Sequence, residues 1–114
     1  MEERKNIRIL SRIEELVLLS VWHLKDDAYG VTIRKHIIQF TGKDWSIGAI
    51  YVPLDRLTKW GYLKSIQGEP KPERGGRRRR YYKITNAGLE ALKHTKKVHE
   101  KMWSLLPEAE SDIK

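Results

Sequence analysis

The chain has 114 residues, 39% hydrophobic and 33% charged, the size of one domain and a composition that folds rather than stays disordered. It contains no cysteine, which excludes disulfides and thiolate chemistry, and no apolar run long enough to span a bilayer. Its start, Met-Glu-Glu-Arg-Lys-Asn, has no signal-peptide core, so a cytoplasmic protein without a membrane partner is expected. The formal charge of +8 is unevenly spread. Residues 1–60 hold 10 Lys/Arg against 8 Asp/Glu, residues 86–114 hold 5 against 5, and residues 61–85 hold 8 against 2. Cations concentrated in one short segment form an electrostatic footprint for an anion.

In chain order, Ser11-Arg-Ile-Glu14 carries the capping-box pattern and predicts the start of a first helix. Ile13, Leu16, Val17, Leu19, Val21, Trp22 and Leu24 give it a wide apolar face, with Trp22 expected in the core. Lys25 to Ala28 is a turn. A second helix runs from about Tyr29 to Thr41, with Ile33, Ile37 and Phe40 inward and Gly42 closing it. Ser46 caps a third helix, about Ile47 to Trp60, on which Ile47, Ile50, Leu54 and Leu57 form an apolar stripe. Pro53 inside it is expected to bend the helix or shorten its first part. Trp45 and Trp60 are expected to cover its ends.

Tyr62 to Gln67 reads as a strand, followed by a Gly/Pro loop and a second strand from Arg80 to Thr85. Four arginines, Arg77 to Arg80, stand where the loop enters that strand. A last helix opens at Thr85-Asn86-Ala87-Gly88 and extends to about Leu106, before Pro107. Its heptad-like seam is Leu92, Thr95, His99, Met102 and Leu106, widened by Leu89, Val98, Trp103 and Leu105. The expected fold is α+β, mostly α: three helices, a two-stranded wing and a long C-terminal helix, the order of a winged helix-turn-helix. Residues 1–85 would form the DNA-binding domain, 86–107 a dimerisation helix and 108–114 a polar tail.

Several stretches together resemble the PadR family of bacterial transcription regulators. They are Ala28-Tyr29-Gly30-Val-Thr-Ile-Arg34, Ser46-Ile-Gly-Ala-Ile-Tyr51, Leu54-Asp-Arg-Leu57 with Gly61-Tyr-Leu63, and Gly75-Gly-Arg-Arg-Arg-Arg-Tyr-Tyr-Lys-Ile-Thr-Asn-Ala-Gly88. The short C-terminal region resembles the subgroup with a single dimerisation helix. The resemblance implies a homodimer that binds an inverted-repeat operator on double-stranded DNA, usually as a repressor. It also implies a third helix in the major groove and a wing on the backbone or minor groove. Carried onto this chain, it points to Tyr29, Ser46, Ala49, Tyr51, Arg77, Arg78 and Arg80. Some members bind planar aromatic ligands between paired helices, which makes His99 and Trp103 a candidate ligand pocket and a multidrug-sensing repressor the alternative reading. Pro53 and Trp60 stand where the family varies, and the wing loop is longer than in many relatives.

The residue chemistry agrees in kind. Ala49 and Val52 are shaped for a thymine methyl, Arg56 for guanine or phosphate, and Ser46 and Tyr51 for hydrogen bonding. The competing reading packs Tyr51 against the first helix and pairs Arg56 with a carboxylate. Arg77, Arg78, Arg79 and Arg80 suit phosphates or a narrow minor groove, and they suit RNA as well. Leu89, Leu92, His99, Met102, Trp103 and Leu106 are the dimerisation candidates. Two readings of His99 stand open: a group that tunes pairing, or a histidine facing solvent at the edge of the seam. No cofactor, catalytic group or metal site is expected. His94 and His99 are five apart, off a common helix face, and His23 and His36 are isolated in the sequence.

Overall fold

A computed structural model describes residues 7–70 and 78–108. Helix α1 (Arg12–Leu24) starts at the expected capping box. The Ser11 N–H donates to Glu14 Oε1 at 2.8 Å, and the Glu14 N–H donates to Ser11 Oγ at 3.3 Å. A 3-10 turn, Lys25–Asp27, leads to α2 (Gly30–Thr41). Gly42, at φ 71°, ends α2 by donating its N–H to the Ile38 carbonyl. Helix α3 (Ile47–Lys59) is capped by Ser46 Oγ, which accepts from the Ala49 N–H at 3.1 Å. Gly61, at φ 81°, turns the chain into β1 (Leu63–Pro70). β1 pairs antiparallel with β2 (Arg78–Ile84), Leu63 opposite Ile84 and Gln67 opposite Arg80. Helix α4 (Asn86–Trp103) is capped by Thr85, whose hydroxyl accepts from Gly88 N–H at 3.1 Å and donates to the Gly61 carbonyl at 2.7 Å.

The core lies where these elements meet. Val17, Leu18 and Val21 of α1 pack with Ile33 and Ile37, with Ile50, Leu54 and Leu57, and with Leu63 and Tyr82 at the wing base. Each fully buried aliphatic side chain of this kind contributes about 1.5–3 kcal/mol. The Tyr82 N–H donates to the Ala28 carbonyl at 2.9 Å, and Tyr29 bridges Tyr81, so β2 is tied to the entrance of α2. The wing is thereby fastened to the helix-turn-helix.

Several expectations require correction. Trp22 is 46% exposed, because α1 spends its inward face on Val17, Leu18 and Val21 and leaves Trp22 on a flank beneath the Lys25 ammonium, 3.5 Å from the ring. Phe40 is 70% exposed at the free end of α2. Ile47 is 63% exposed, since the first residue of α3 projects past the partners that cover Ile50 and Leu54. Pro53 does not shorten α3, which runs unbroken through it with the ring buried, so apolar packing offsets the missing backbone bond. The strands span Leu63–Pro70 and Arg78–Ile84 rather than the shorter ranges expected. Helix α4 ends at Trp103, not Leu106, and Leu105 and Leu106 close tight turns onto the Met102 and Trp103 carbonyls. Pro107 disfavours helical backbone at Leu106, which accounts for the early end. Thr95 is not part of an outward seam; it is fully buried and its hydroxyl accepts the Leu10 N–H at 3.0 Å.

Candidate nucleic-acid interface

The turn between α2 and α3 is held by polar contacts rather than by its own length. Arg34 Nε donates to the Trp45 carbonyl at 2.7 Å, Arg34 Nη2 meets Asp44 Oδ1 at 3.2 Å, and Trp45 Nε1 donates to Thr41 Oγ1 at 3.0 Å. Trp45 and Trp60 both pack against the core and flank α3, as expected. With that turn fixed, α3 presents Ile47, Gly48, Tyr51, Val52, Asp55 and Lys59 to solvent. Ser46 is spent on the cap but keeps a hydroxyl hydrogen, and Ala49 is half-buried.

Tyr51 leans onto the start of α2. A Cβ built on Gly30 would overlap the Tyr51 hydroxyl and Cζ and lie 2.9 Å from Cε1. Gly30 is therefore the vacancy that Tyr51 occupies, and Tyr51 packs on α2 rather than on α1. Arg56 turns the other way. Its Nε donates to Glu14 Oε2 at 2.8 Å, which is the carboxylate pairing that the sequence left open. Burial tends to raise the Glu14 pKa, but the Ser11 N–H and the Arg56 guanidinium outweigh it and hold the carboxyl below its ordinary value. Glu14 thus stays ionised and draws Arg56 toward α1, away from the outward face of α3.

On the wing, strand alternation divides the arginine run. Arg79 lies with its guanidinium 4.0 Å from the centre of the Tyr29 ring, and Nη1 donates to the Tyr81 hydroxyl at 3.2 Å. Tyr29 and Tyr81 meet edge to face with centroids 5.5 Å apart. Tyr81 also lies across Gly68, where a Cβ would come 2.8 Å from its Cε2. Arg80 is exposed on the opposite side of the strand, beside Tyr82. Burial pushes the Tyr82 phenol up; the Arg80 charge opposes this, and Asp55 and Tyr51 of α3 add to it. Arg79 thus serves the α2 side, and Arg80 stands on the other face of the strand, the face that Tyr82 shares. Arg77 lies outside the described residues, and Arg78 enters β2 opposite Pro70. Ile47 is the outward α3 residue that the sequence reading placed in the core instead. The signal was its position before the first cap-bonded turn, where a stripe residue has no partner helix beyond it.

Helix α4 buries Gly88, Ala91 and Thr95 against its own domain. Leu92 packs partly on the core and Leu89 is half-buried. His99 Nε2 stands 3.8 Å from Glu15 Oε1 of α1. Beyond it, Met102 and Trp103, each 67% exposed, and Leu105 and Leu106 form an uncovered apolar end. Leu19, Trp22, Leu89 and Leu92, with Glu15, Lys93 and Lys96, line an open groove of about 260 Å³ between α1 and α4. Neither His99 nor Trp103 is among its lining residues. His23 and His36 are not isolated: His23 Nδ1 and His36 Nε2 are 3.0 Å apart. Among the described residues, no helix is long and apolar enough to cross a membrane.

Three helices followed by an antiparallel wing form a winged helix, the fold of a class of DNA-binding regulators. The profile of the Transcriptional regulator PadR-like family matches residues 18–94, more than half of the chain, and the chain belongs to that family. Its fold is similar to that of a PadR family transcription regulator from Clostridium difficile R20291, with TM-score 0.68, 25% identity, and coverage of 83% of this chain and 94% of that one. It is likewise similar to a transcriptional regulator from Clostridium thermocellum, with TM-score 0.67, 29% identity, and coverage of 81% and 86%. A Streptococcus mutans UA159 protein aligns with TM-score 0.56 and 28% identity over 86% and 83% of the two chains. No curated protein matches the chain. Membership places the protein among transcription regulators and not among enzymes.

Proposed function

We propose that the protein is a cytoplasmic, homodimeric repressor that binds an inverted-repeat operator. Tyr51, Val52 and the neighbouring exposed residues of α3 read bases, and the wing arginines hold the backbone. The observation that carries this reading is a wing fastened to the helix-turn-helix through the Tyr82 N–H on the Ala28 carbonyl, with α3 leaving Ile47, Gly48, Tyr51, Val52, Asp55 and Lys59 open to solvent. Dimerisation is supported by the uncovered Met102, Trp103, Leu105 and Leu106. A contiguous apolar end of this kind is costly to leave in water. A two-fold dimer would set two copies of α3 about one helical turn of DNA apart, roughly 34 Å. The test is selection of bound sequences from a random duplex pool, followed by competition with structured RNA. Recovery of a palindromic site at that spacing supports the proposal. Recovery of no site, or preference for the RNA, overturns it.

A second reading is favoured by the groove between α1 and α4: a regulator whose DNA binding responds to a small aromatic ligand. Trp22 is the indole that lines this groove; the His99–Trp103 pocket between paired helices is a separate candidate for the same kind of ligand. Quenching of tryptophan fluorescence by a planar dye should then disappear in Trp22→Ala and persist in Trp103→Ala.

A further inference from the structure

His23 ends α1 and His36 lies in the middle of α2, 13 positions on, yet their rings face each other. The two facing nitrogens, His23 Nδ1 and His36 Nε2, are 3.0 Å apart, and the ring centroids are 5.2 Å apart at an interplanar angle of 63°. Phe40, one turn beyond His36, lies 4.8 Å from the His36 ring and 6.3 Å from the His23 ring and fences one side of the pair. Zinc sits about 2.0–2.1 Å from an imidazole nitrogen, so two cis ligands at roughly 90–109° stand about 2.9–3.4 Å apart. The two nitrogens are hydrogen-bonded at a separation within that range, and rotation of the rings out of the hydrogen bond aims both lone pairs at one ion.

We propose that His23 and His36 form a two-histidine site for a divalent transition metal of borderline softness, with water completing the coordination, which clips the end of α1 to α2. Imidazole suits copper, nickel and zinc, and the affinity order follows the general series with copper strongest. Metal binding requires a lone pair on both facing nitrogens. The ring that donates in the free pair therefore moves its proton to its other nitrogen through solvent, with no net proton released. Only two protein ligands are supplied, since no cluster of three metal-binding side chains occurs among the described residues. The site is thus a clip on a preformed pair and not a structural centre on which folding depends.

The test uses the full chain, stripped with chelator and titrated calorimetrically with nickel or zinc chloride alone. One ion per chain is expected, with at least tenfold weaker binding in His23→Ala and in His36→Gln, and unchanged binding in His94→Ala and His99→Ala. Thermal unfolding gives the second readout. At free metal 100-fold above its dissociation constant, the folded-to-unfolded ratio of the wild type should rise about 100-fold. The variants, folded as judged by circular dichroism, should show no such rise. Equal binding in His23→Ala and His36→Gln, loss of binding in His94→Ala or His99→Ala, or no binding by the wild type at millimolar metal would each overturn the site.

Discussion

Two glycines give opposite expectations for the same substitution. A Cβ at Gly30 would overlap the hydroxyl and Cζ of Tyr51, the far end of a side chain that is 40% exposed and free to swing outward. A tyrosine buries roughly 150–250 Å² when enclosed, so losing about 50 Å² of packing costs on the order of 1 kcal/mol. Alanine in place of glycine in a helix returns up to about 1 kcal/mol. Gly30→Ala should therefore leave stability within about 1 kcal/mol of wild type, a few degrees in Tm for a domain of this size. Gly88 is buried at the start of α4, and a Cβ there would overlap the Tyr62 carbonyl oxygen and lie 2.8 Å from Ile84 Cγ1. That carbonyl is backbone and already accepts the Thr85 N–H at 3.0 Å, so it cannot turn aside. Overpacking of this kind costs about 1–3 kcal/mol, and Gly88→Ala should lower Tm clearly. Operator binding should rank the pair the other way. Gly30→Ala displaces Tyr51 and should weaken it about tenfold, roughly 1.4 kcal/mol. Differential scanning fluorimetry and anisotropy on a selected duplex measure both quantities. If Gly30→Ala melts as low as Gly88→Ala, Tyr51 is pinned and the reasoning fails. If it binds DNA like wild type, the position of Tyr51 over Gly30 is irrelevant to recognition.

Other outcomes follow from the ion pairs and the wing. Glu14→Gln should cost about 1–2 kcal/mol, from a weakened cap and an unpaired Arg56 that is partly screened by solvent, as read by urea unfolding. Because the folded pKa of Glu14 is depressed, its stabilising effect is complete above the ordinary value of 4.5 and is lost as pH falls through the lower folded value. Wild-type stability should therefore drop more steeply than that of Glu14→Gln on acidification. Arg80→Ala should weaken all duplexes similarly and reduce the salt slope by about 1, without a change in Tm. Arg79→Ala should also lose stability, because its guanidinium packs on Tyr29, a contact worth about 0.5–2 kcal/mol. Trp103→Glu with Leu106→Glu should shift sedimentation to the monomer and abolish binding to the palindrome while leaving the circular dichroism of the winged domain intact.

Where the helices start, and where α2 and α3 stop, was legible in the residue order, whereas the strand limits and the end of α4 were not. Ser11 with Glu14, Ser46, Thr85, Gly42 and Gly61 act through hydrogen bonds or backbone angles within about four residues of themselves, so their signals are local and were legible. The order of elements, the basic wing and the family followed from those signals. Strand alternation, a local signal, sets Arg79 and Arg80 on opposite faces of β2. Which apolar residues found partners depended on how the elements pack together. Trp22, Phe40 and Ile47 match helical spacing as well as Ile33 or Leu54 do, but burial depends on what another element brings opposite them. The same holds for contacts far apart in the chain: Arg56 with Glu14, Tyr51 over Gly30, and His23 facing His36. Such pairs are set by the crossing of helices and not by either residue's neighbours, so no local pattern announces them.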